Sequence, residues 1–505
     1  MAIHMAMSRS HAPLLALLLL ATACKGADDG AVAPPVDAAA DHPDDTAPPP
    51  ARPLPPGLRL GAATSAHQVE GGLTNTWTLF ETLPQFAGRT VAPSGLAADH
   101  YNRYEEDLDL AAWMHLDVVR FSVEWARVEP ARGVFDGDAL AHYRAVLEAL
   151  ADRDIAPSVT LHHFTDPTWF VDLEGMAPPF AETFCPGGLD GPDLCWWLDP
   201  EAPEVFAGFC GRVAAEYGDL VDEWWTFNEP TGYWMNTTIS GTFPPPLSVD
   251  LLTLDPAALA VHALPALRGL LAAHAACYRA IHENDTVDAD GDGVAARVGV
   301  TTGTGMSSPA DPDDPGDVAA AAQAFSLASW QFSDPLMGRG LDTDLDGVPD
   351  EEHPEWAGTL DLYGLQYYAS TVVVGFPVNA LLHGFPCIAM DDPLLDGLLV
   401  QAGCPGPPTD DLPLGEPPGA LYGRQHDPEG LVPFLRLVDS HYPGLPVVIT
   451  ENGYANHDVK RAASLVRHLD ACRQAVAEGL PLEGYYHWSL LDNYEWGMGF
   501  AVRYG

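Results

Sequence analysis

Eight short apolar or β-branched runs alternate with amphipathic stretches along this chain, and that order leaves few folds open. Strand patterns fall at 58–65, 118–124, 157–163, 223–228, 297–302, 360–368, 446–451 and 484–490. Helical patterns fall between them, at 98–116, 139–153, 201–217, 256–283, 317–332, 430–441 and 459–478. Strictly alternating strand and helix periods predict parallel strands joined by helical crossovers. Eight such units predict a closed (β/α)8 TIM barrel, whose chemistry sits at the C-terminal ends of its strands. The chain ends at Gly505, soon after the eighth strand, and no eighth helix is written, so either the sequence is truncated or another segment covers that strand's outer wall.

Two of these strands run into a carboxylate. Val447-Val-Ile-Thr-Glu-Asn-Gly453 delivers Glu451 to the end of the seventh strand, where Gly453 releases the chain into a loop. Glu223-Trp-Trp-Thr-Phe-Asn-Glu-Pro230 ends the fourth on Glu229, and Pro230 stops the ladder because it has no N–H to donate. A Glu beside one strand is unremarkable. Two of them, at the catalytic end of one barrel, form a pair suited to cleaving a glycosidic bond.

The remaining features bear on location and partners. Arg9 and His11 precede Leu14-Leu-Ala-Leu-Leu-Leu-Leu20, and Ala21-Thr-Ala-Cys24 follows. Residues 1–24 therefore read as a secretory signal, too short for a stable span, with Cys24 placed like the acylated cysteine of a bacterial lipoprotein. Ala21 departs from the Leu usual there, so plain secretion stays open. Residues 25–55 are rich in Ala, Asp and Pro and read as a disordered tether to a catalytic domain at 56–505. An outer-membrane or cell-surface lipoprotein is expected, otherwise a periplasmic or secreted protein. With 71 acidic residues against 23 basic ones, the net charge of −48 argues against nucleic acid and anionic membrane faces. Any membrane contact would be through a lipid at Cys24. Cys185 with Cys195, and Cys387 with Cys404, flank loops and are expected disulfides. Cys210, Cys277 and Cys472 lie in helical patterns and are expected to be buried thiols.

Asp288-Ala-Asp-Gly-Asp-Gly293 and Asp342-Thr-Asp-Leu-Asp-Gly347 both open like calcium loops. Neither has Glu at the twelfth position, where Gly299 and His353 stand. The second sets Asp350 at the ninth, making Asp342, Asp344, Asp346 and Asp350 candidate ligands for structural Ca2+. The plain alternative is an acidic, solvated loop. No cofactor is expected for catalysis.

Thr226-Phe-Asn-Glu-Pro230 and Ile449-Thr-Glu-Asn-Gly453 resemble the two signature motifs of glycoside hydrolase family 1, the β-glucosidase family. Gly61-Ala-Ala-Thr-Ser-Ala-His-Gln-Val-Glu-Gly71, Arg120-Phe-Ser-Val-Glu-Trp125, Leu161-His-His-Phe164 and Gly484-Tyr-Tyr-His-Trp-Ser-Leu-Leu-Asp-Asn-Tyr-Glu-Trp496 resemble its first, second, third and eighth strands. The resemblance implies a retaining exo-β-glycosidase that removes a non-reducing terminal β-D-glucosyl residue from a small β-glycoside or oligosaccharide through a covalent glycosyl-enzyme. Glu451 would be the nucleophile and Glu229 the acid and then base, which requires a raised pKa at Glu229. Arg120 and Tyr368 would orient Glu451. Gln68, His163, Asn228, Glu495 and Trp496 would grip hydroxyls, and Trp488 would floor the sugar, with Tyr504 a weaker candidate for that wall. Glu495 would repel a 6-phosphate and favours a neutral sugar. Glu229 separates the chain from the thioglucosidase branch, which carries Gln there. Two departures stand out: Gln366 replaces the usual Asn, and Phe164-Thr-Asp-Pro replaces Trp-Asp-Leu-Pro. The alternatives are a β-galactosidase or β-fucosidase preference, or a catalytically dead carbohydrate-binding surface lipoprotein.

Overall fold

The computed structural model describes residues 53–505 apart from 186–193, 248–259, 369, 376–383, 388–403, 405–423, 426 and 456–457. The expected signal, Cys24 and most of the expected tether lie outside the described residues. Pro53–Pro55, the last part of that tether, lie against the domain: Leu54 packs on the core and the Pro53 carbonyl accepts from Arg473.

The barrel strands are β1 (Arg59–Ala63), β2 (Val118–Ser122), β3 (Ala156–Thr160), β4 (Glu223–Asn228), β5 (Arg297–Thr304), β6 (Leu362–Tyr367), β7 (Val447–Asn452) and β8 (Leu482–Trp488). They close in sequence order, and every pair is parallel. Helices α1 (His100–Trp113), α2 (Gly137–Ala151), α3 (Ala202–Tyr217), α4 (Pro230–Thr238), α5 (Ala263–Asn284), α6 (Pro315–Ser329), α7 (Leu431–His441) and α8 (Asp458–Ala477) connect them. The expected (β/α)8 barrel is therefore the observed one. Of the expected helix at 256–283, after the fourth strand, the described part begins at Ala263. The short α4 was not expected. Pro230, read from sequence as a stop, also sits at the first position of α4, where its missing N–H costs nothing.

Residues facing into the ring form a compact plug. Val118, Trp225, Leu362, Val448 and Tyr486 make one fully buried cluster. Trp225 needs room, and β5 and β6 supply it: a Cβ at Gly299 or Gly364 would lie 2.6 Å or 2.8 Å from its six-membered ring. Glu223 closes the N-terminal mouth beneath. It pairs with Arg59 at 2.5 Å and accepts from Ser158 at 2.7 Å and Tyr486 at 2.9 Å. Burial pushes the Glu223 carboxyl up, but these partners outweigh it and hold the group below its ordinary value.

After β8 the described chain has a 3-10 turn at Trp496–Met498 and runs to Gly505. Side chains on the outer wall of β8 pack against the described chain. Tyr485 is buried in the same core as Cys472 of α8, and His487 meets the Tyr504 carbonyl at 3.1 Å.

Two expectations need correction. Cys210 and Cys277 are not thiols but a disulfide joining α3 to α5, with Cα atoms 5.5 Å apart. Two cysteines on long helices meet only if the helices pack with those faces together, which spacing cannot reveal. Cys185–Cys195 and Cys387–Cys404 pair as expected, and Cys472 is a buried thiol. The stretch read as a long loop after β6 also contains strand. Ser370–Gly375 pairs with Ser307–Pro309, Gly384–Pro386 and Arg424–Gln425 in a small sheet beside α6.

Candidate active site

Both carboxylates follow a shift of register in the strand that delivers them. β7 shifts register against β6 and β8 just before Glu451, and β4 shifts against β5 after Trp225. Such irregularities re-aim side chains that simple alternation would misplace. Glu229 adopts the left-handed region at φ 41° and ψ 56°, uncommon for a residue with a Cβ. Its amide donates to the Thr301 carbonyl at 2.9 Å. Its carboxyl lies over Gly303, where a Cβ would fall 2.1 Å from Oε1. A glycine on β5 thus makes space for the acidic group just past the end of β4.

Glu451 is held at both oxygens. Arg120 Nη1 donates to Oε1 at 2.6 Å, and the Tyr368 hydroxyl donates to Oε2 at 2.6 Å. Burial pushes the Glu451 carboxyl above its ordinary value, while Arg120 and Tyr368 act to lower it. Burial, followed by the charge of Glu451, drives the Tyr368 phenol well up, and Glu229 adds to the same effect. Both carboxylates therefore act on this one hydroxyl.

Arg120 is fully buried on β2 and spreads its guanidinium over three strands. Nε donates to Thr160 Oγ1 at 3.0 Å and Nη2 to Asn228 Oδ1 at 2.7 Å. The same Oδ1 accepts from Gln366 Nε2 at 2.6 Å and Thr301 Oγ1 at 3.1 Å. Five strand ends are thus tied into one network behind Glu451 and Glu229.

The expected sugar-gripping residues gather nearby. Trp488 Nε1 donates to Glu495 Oε1 at 3.1 Å. The His163 ring lies near parallel to Trp488 and to Trp496, each 6.0 Å away. Burial and the neighbouring Arg120 hold the His163 imidazole well below its ordinary pKa, so it is neutral. Tyr504 lies 6.0 Å from Tyr368, edge to face. Gln68 is more enclosed than its expected role requires. It is fully buried, accepts from Ser65 at 2.7 Å, and donates to the Tyr494 carbonyl at 2.7 Å and to Asn493 at 3.3 Å. It holds the loop that carries Glu495 and Trp496. Thr301, Thr160 and Gly303 were not singled out from sequence. Small residues inside a strand carry no signal of what they face.

The acidic loops gather away from this network. Oxygens of Asp342, Asp344 and Asp350 lie within 4.8 Å of one another, as do those of Asp222, Asp288 and Asp290. Asp346 stands outside the first group and accepts from the Val348 amide at 2.8 Å. Burial lifts Asp342 to about 6. Asp222 was not expected to join the other loop, because it lies on the segment before β4.

The family model described as glycosyl hydrolase family 1 matches residues 51–180 and 186–505. A rice protein named β-glucosidase 25 is 28% identical over 90% of this chain and 89% of its own. A β-galactosidase of Pyrococcus woesei is 30% identical over 81% of each chain. Among solved structures, a β-glycosidase from Pyrococcus horikoshii superposes with a TM-score of 0.68 at 27% identity, over 90% of this chain and 89% of its own. The chain belongs to glycosyl hydrolase family 1 and is a glycoside hydrolase.

Proposed function

We propose that this enzyme is a retaining exo-β-glycosidase acting on β-glucosides, with Glu451 as nucleophile and Glu229 as acid and base. The clamp on Glu451 carries the reading: one oxygen on Arg120, the other on Tyr368. Both donors favour the charged carboxylate against the effect of burial and leave it little freedom to rotate. Glu451 attacks the anomeric carbon while Glu229 gives its proton to the departing oxygen. The glycosyl–Glu451 ester is then cleaved by water, from which Glu229 removes a proton. Asn228, His163, Glu495 and Trp496 hold hydroxyls, and Trp488 supplies the flat apolar floor. Gln68 serves that grip chiefly by holding the loop of Glu495. A galactoside preference is the second reading, favoured by the relative named a β-galactosidase. A dead binder has no use for two engaged carboxylates.

Two proposals concern the rest of the chain. We propose export with acylation at Cys24, supported by the sequence of residues 1–24. We also propose structural Ca2+ at Asp342, Asp344 and Asp350, whose oxygen-only donors suit a hard cation.

The test of the central reading is Glu451→Gly assayed on p-nitrophenyl β-glucoside. Turnover should vanish and return in part with azide, which occupies the space left and attacks the sugar itself. Unchanged turnover in the variant would remove Glu451 from the reaction.

A further inference from the structure

Gln366 sits on β6 at the floor of the site, fully buried, and its two ends fare differently. Nε2 donates to Asn228 Oδ1 at 2.6 Å and Thr301 Oγ1 at 3.3 Å. Oε1 is buried and has no hydrogen-bond partner among the described residues. A buried carbonyl oxygen left unpaired is costly, and a Met of similar length would avoid that cost. The donor end is therefore the part of this side chain in use.

The direction of each amide follows from Arg120. A guanidinium has donors only, so the atom of Asn228 that faces it must be Oδ1. That choice obliges Gln366 to present Nε2 and leaves its Oε1 on the far side. It also turns Asn228 Nδ2 away from the network. Asn228 is bonded through Arg120 to Glu451 and is the chain neighbour of Glu229. The hydroxyl it meets is accordingly the one beside the reacting carbon, at sugar position 2.

We propose that Gln366 is a positioning residue that makes the site specific for sugars with a 2-hydroxyl, by locking Asn228 with Nδ2 toward the substrate. This rests on the β-glycosidase reading above. Arg120 and the Thr301 hydroxyl also donate to Oδ1, at 2.7 Å and 3.1 Å. Gln366 makes the shortest of the three bonds, at 2.6 Å, and also donates to Thr301 Oγ1 at 3.3 Å, so it holds both the amide and the hydroxyl that shares it.

The experiment compares aryl β-glucoside with its 2-deoxy analogue for the wild type, Gln366→Met and Gln366→Glu. The readout is the ratio of the two kcat/KM values, which cancels effects on the shared chemistry. Gln366→Met should lower the ratio roughly 3- to 10-fold, the effect of one neutral hydrogen bond. Its thermal midpoint should not fall, since the unpaired oxygen is gone. Gln366→Glu should make the ratio pH-dependent. The protonated acid can donate to Asn228 Oδ1 and the carboxylate cannot, so the ratio should approach the wild-type value at low pH and fall as pH rises. Ratios that match the wild type in both variants at every pH would overturn the role of Gln366. A wild type that cleaves neither substrate would instead overturn the β-glycosidase reading.

Discussion

Removing the Tyr368 hydroxyl is the sharpest perturbation of the clamp. Tyr368→Phe deletes the donor 2.6 Å from Glu451 Oε2 and leaves Arg120 on Oε1. A hydrogen bond to a charged group contributes about 1.5–3 kcal/mol. That bond favours the ionised carboxylate, so its loss raises the Glu451 pKa, already lifted by burial. At 1.36 kcal/mol per pKa unit the rise is about 1–2 units. Because Glu451 must be ionised to attack, the acid limb of kcat/KM should move to higher pH by that amount. Activity would then be lost most on the acid side. A second effect should appear at the optimum. One gripped oxygen lets the carboxylate turn, and misplacement of a reacting atom costs up to about a hundredfold. The assay is kcat/KM for an aryl β-glucoside across pH, with the thermal midpoint as a folding control. A folded variant whose acid limb coincides with the wild type would refute the reasoning.

Glu229→Ala should slow substrates with poor leaving groups far more than activated aryl glycosides, read as a steeper dependence of kcat on leaving-group pKa; equal loss across the series would contradict its role as acid. Gly303→Ala places a methyl where the Glu229 carboxyl lies, so kcat should fall at least tenfold for unactivated glycosides, with a smaller effect on activated ones. Glu223→Gln should cost about 2–3 kcal/mol in denaturant unfolding, less than a fully buried pair because Arg59 keeps some water. The Glu223 pKa is held down in the fold, so its contribution is present above the unfolded carboxyl pKa and fades as pH falls through the folded one. Unfolding followed from neutral to acid pH should show that loss in the wild type and not in Glu223→Gln. Ca2+ should raise the thermal midpoint relative to chelator, and Asp342→Asn should remove the difference; no response in the wild type would leave the loop merely acidic.

The barrel and its two acidic strand ends were legible because each rests on local pattern. A run such as Val447–Ile449 can bury only as strand, and the residue at its end must emerge at the barrel mouth. Cys210–Cys277 was not legible, because it depends on which faces of α3 and α5 meet. The small sheet around Ser370–Gly375 was missed for a similar reason. Its strands are short, and Pro and Gly between them read as loop. Gln366 was visible only as an oddity, since its meaning lies in a bond to another strand.

Sequence by itself determined the order of strands and helices, and through it which carboxylates reach the catalytic end. That follows from period and β-branching, which act within a few residues. Only the closed ring decided that Arg120, Asn228, Gln366 and Tyr368 share one network around Glu451. Hydrogen bonds between side chains on different strands depend on register and bulges, and those are settled when the whole barrel packs.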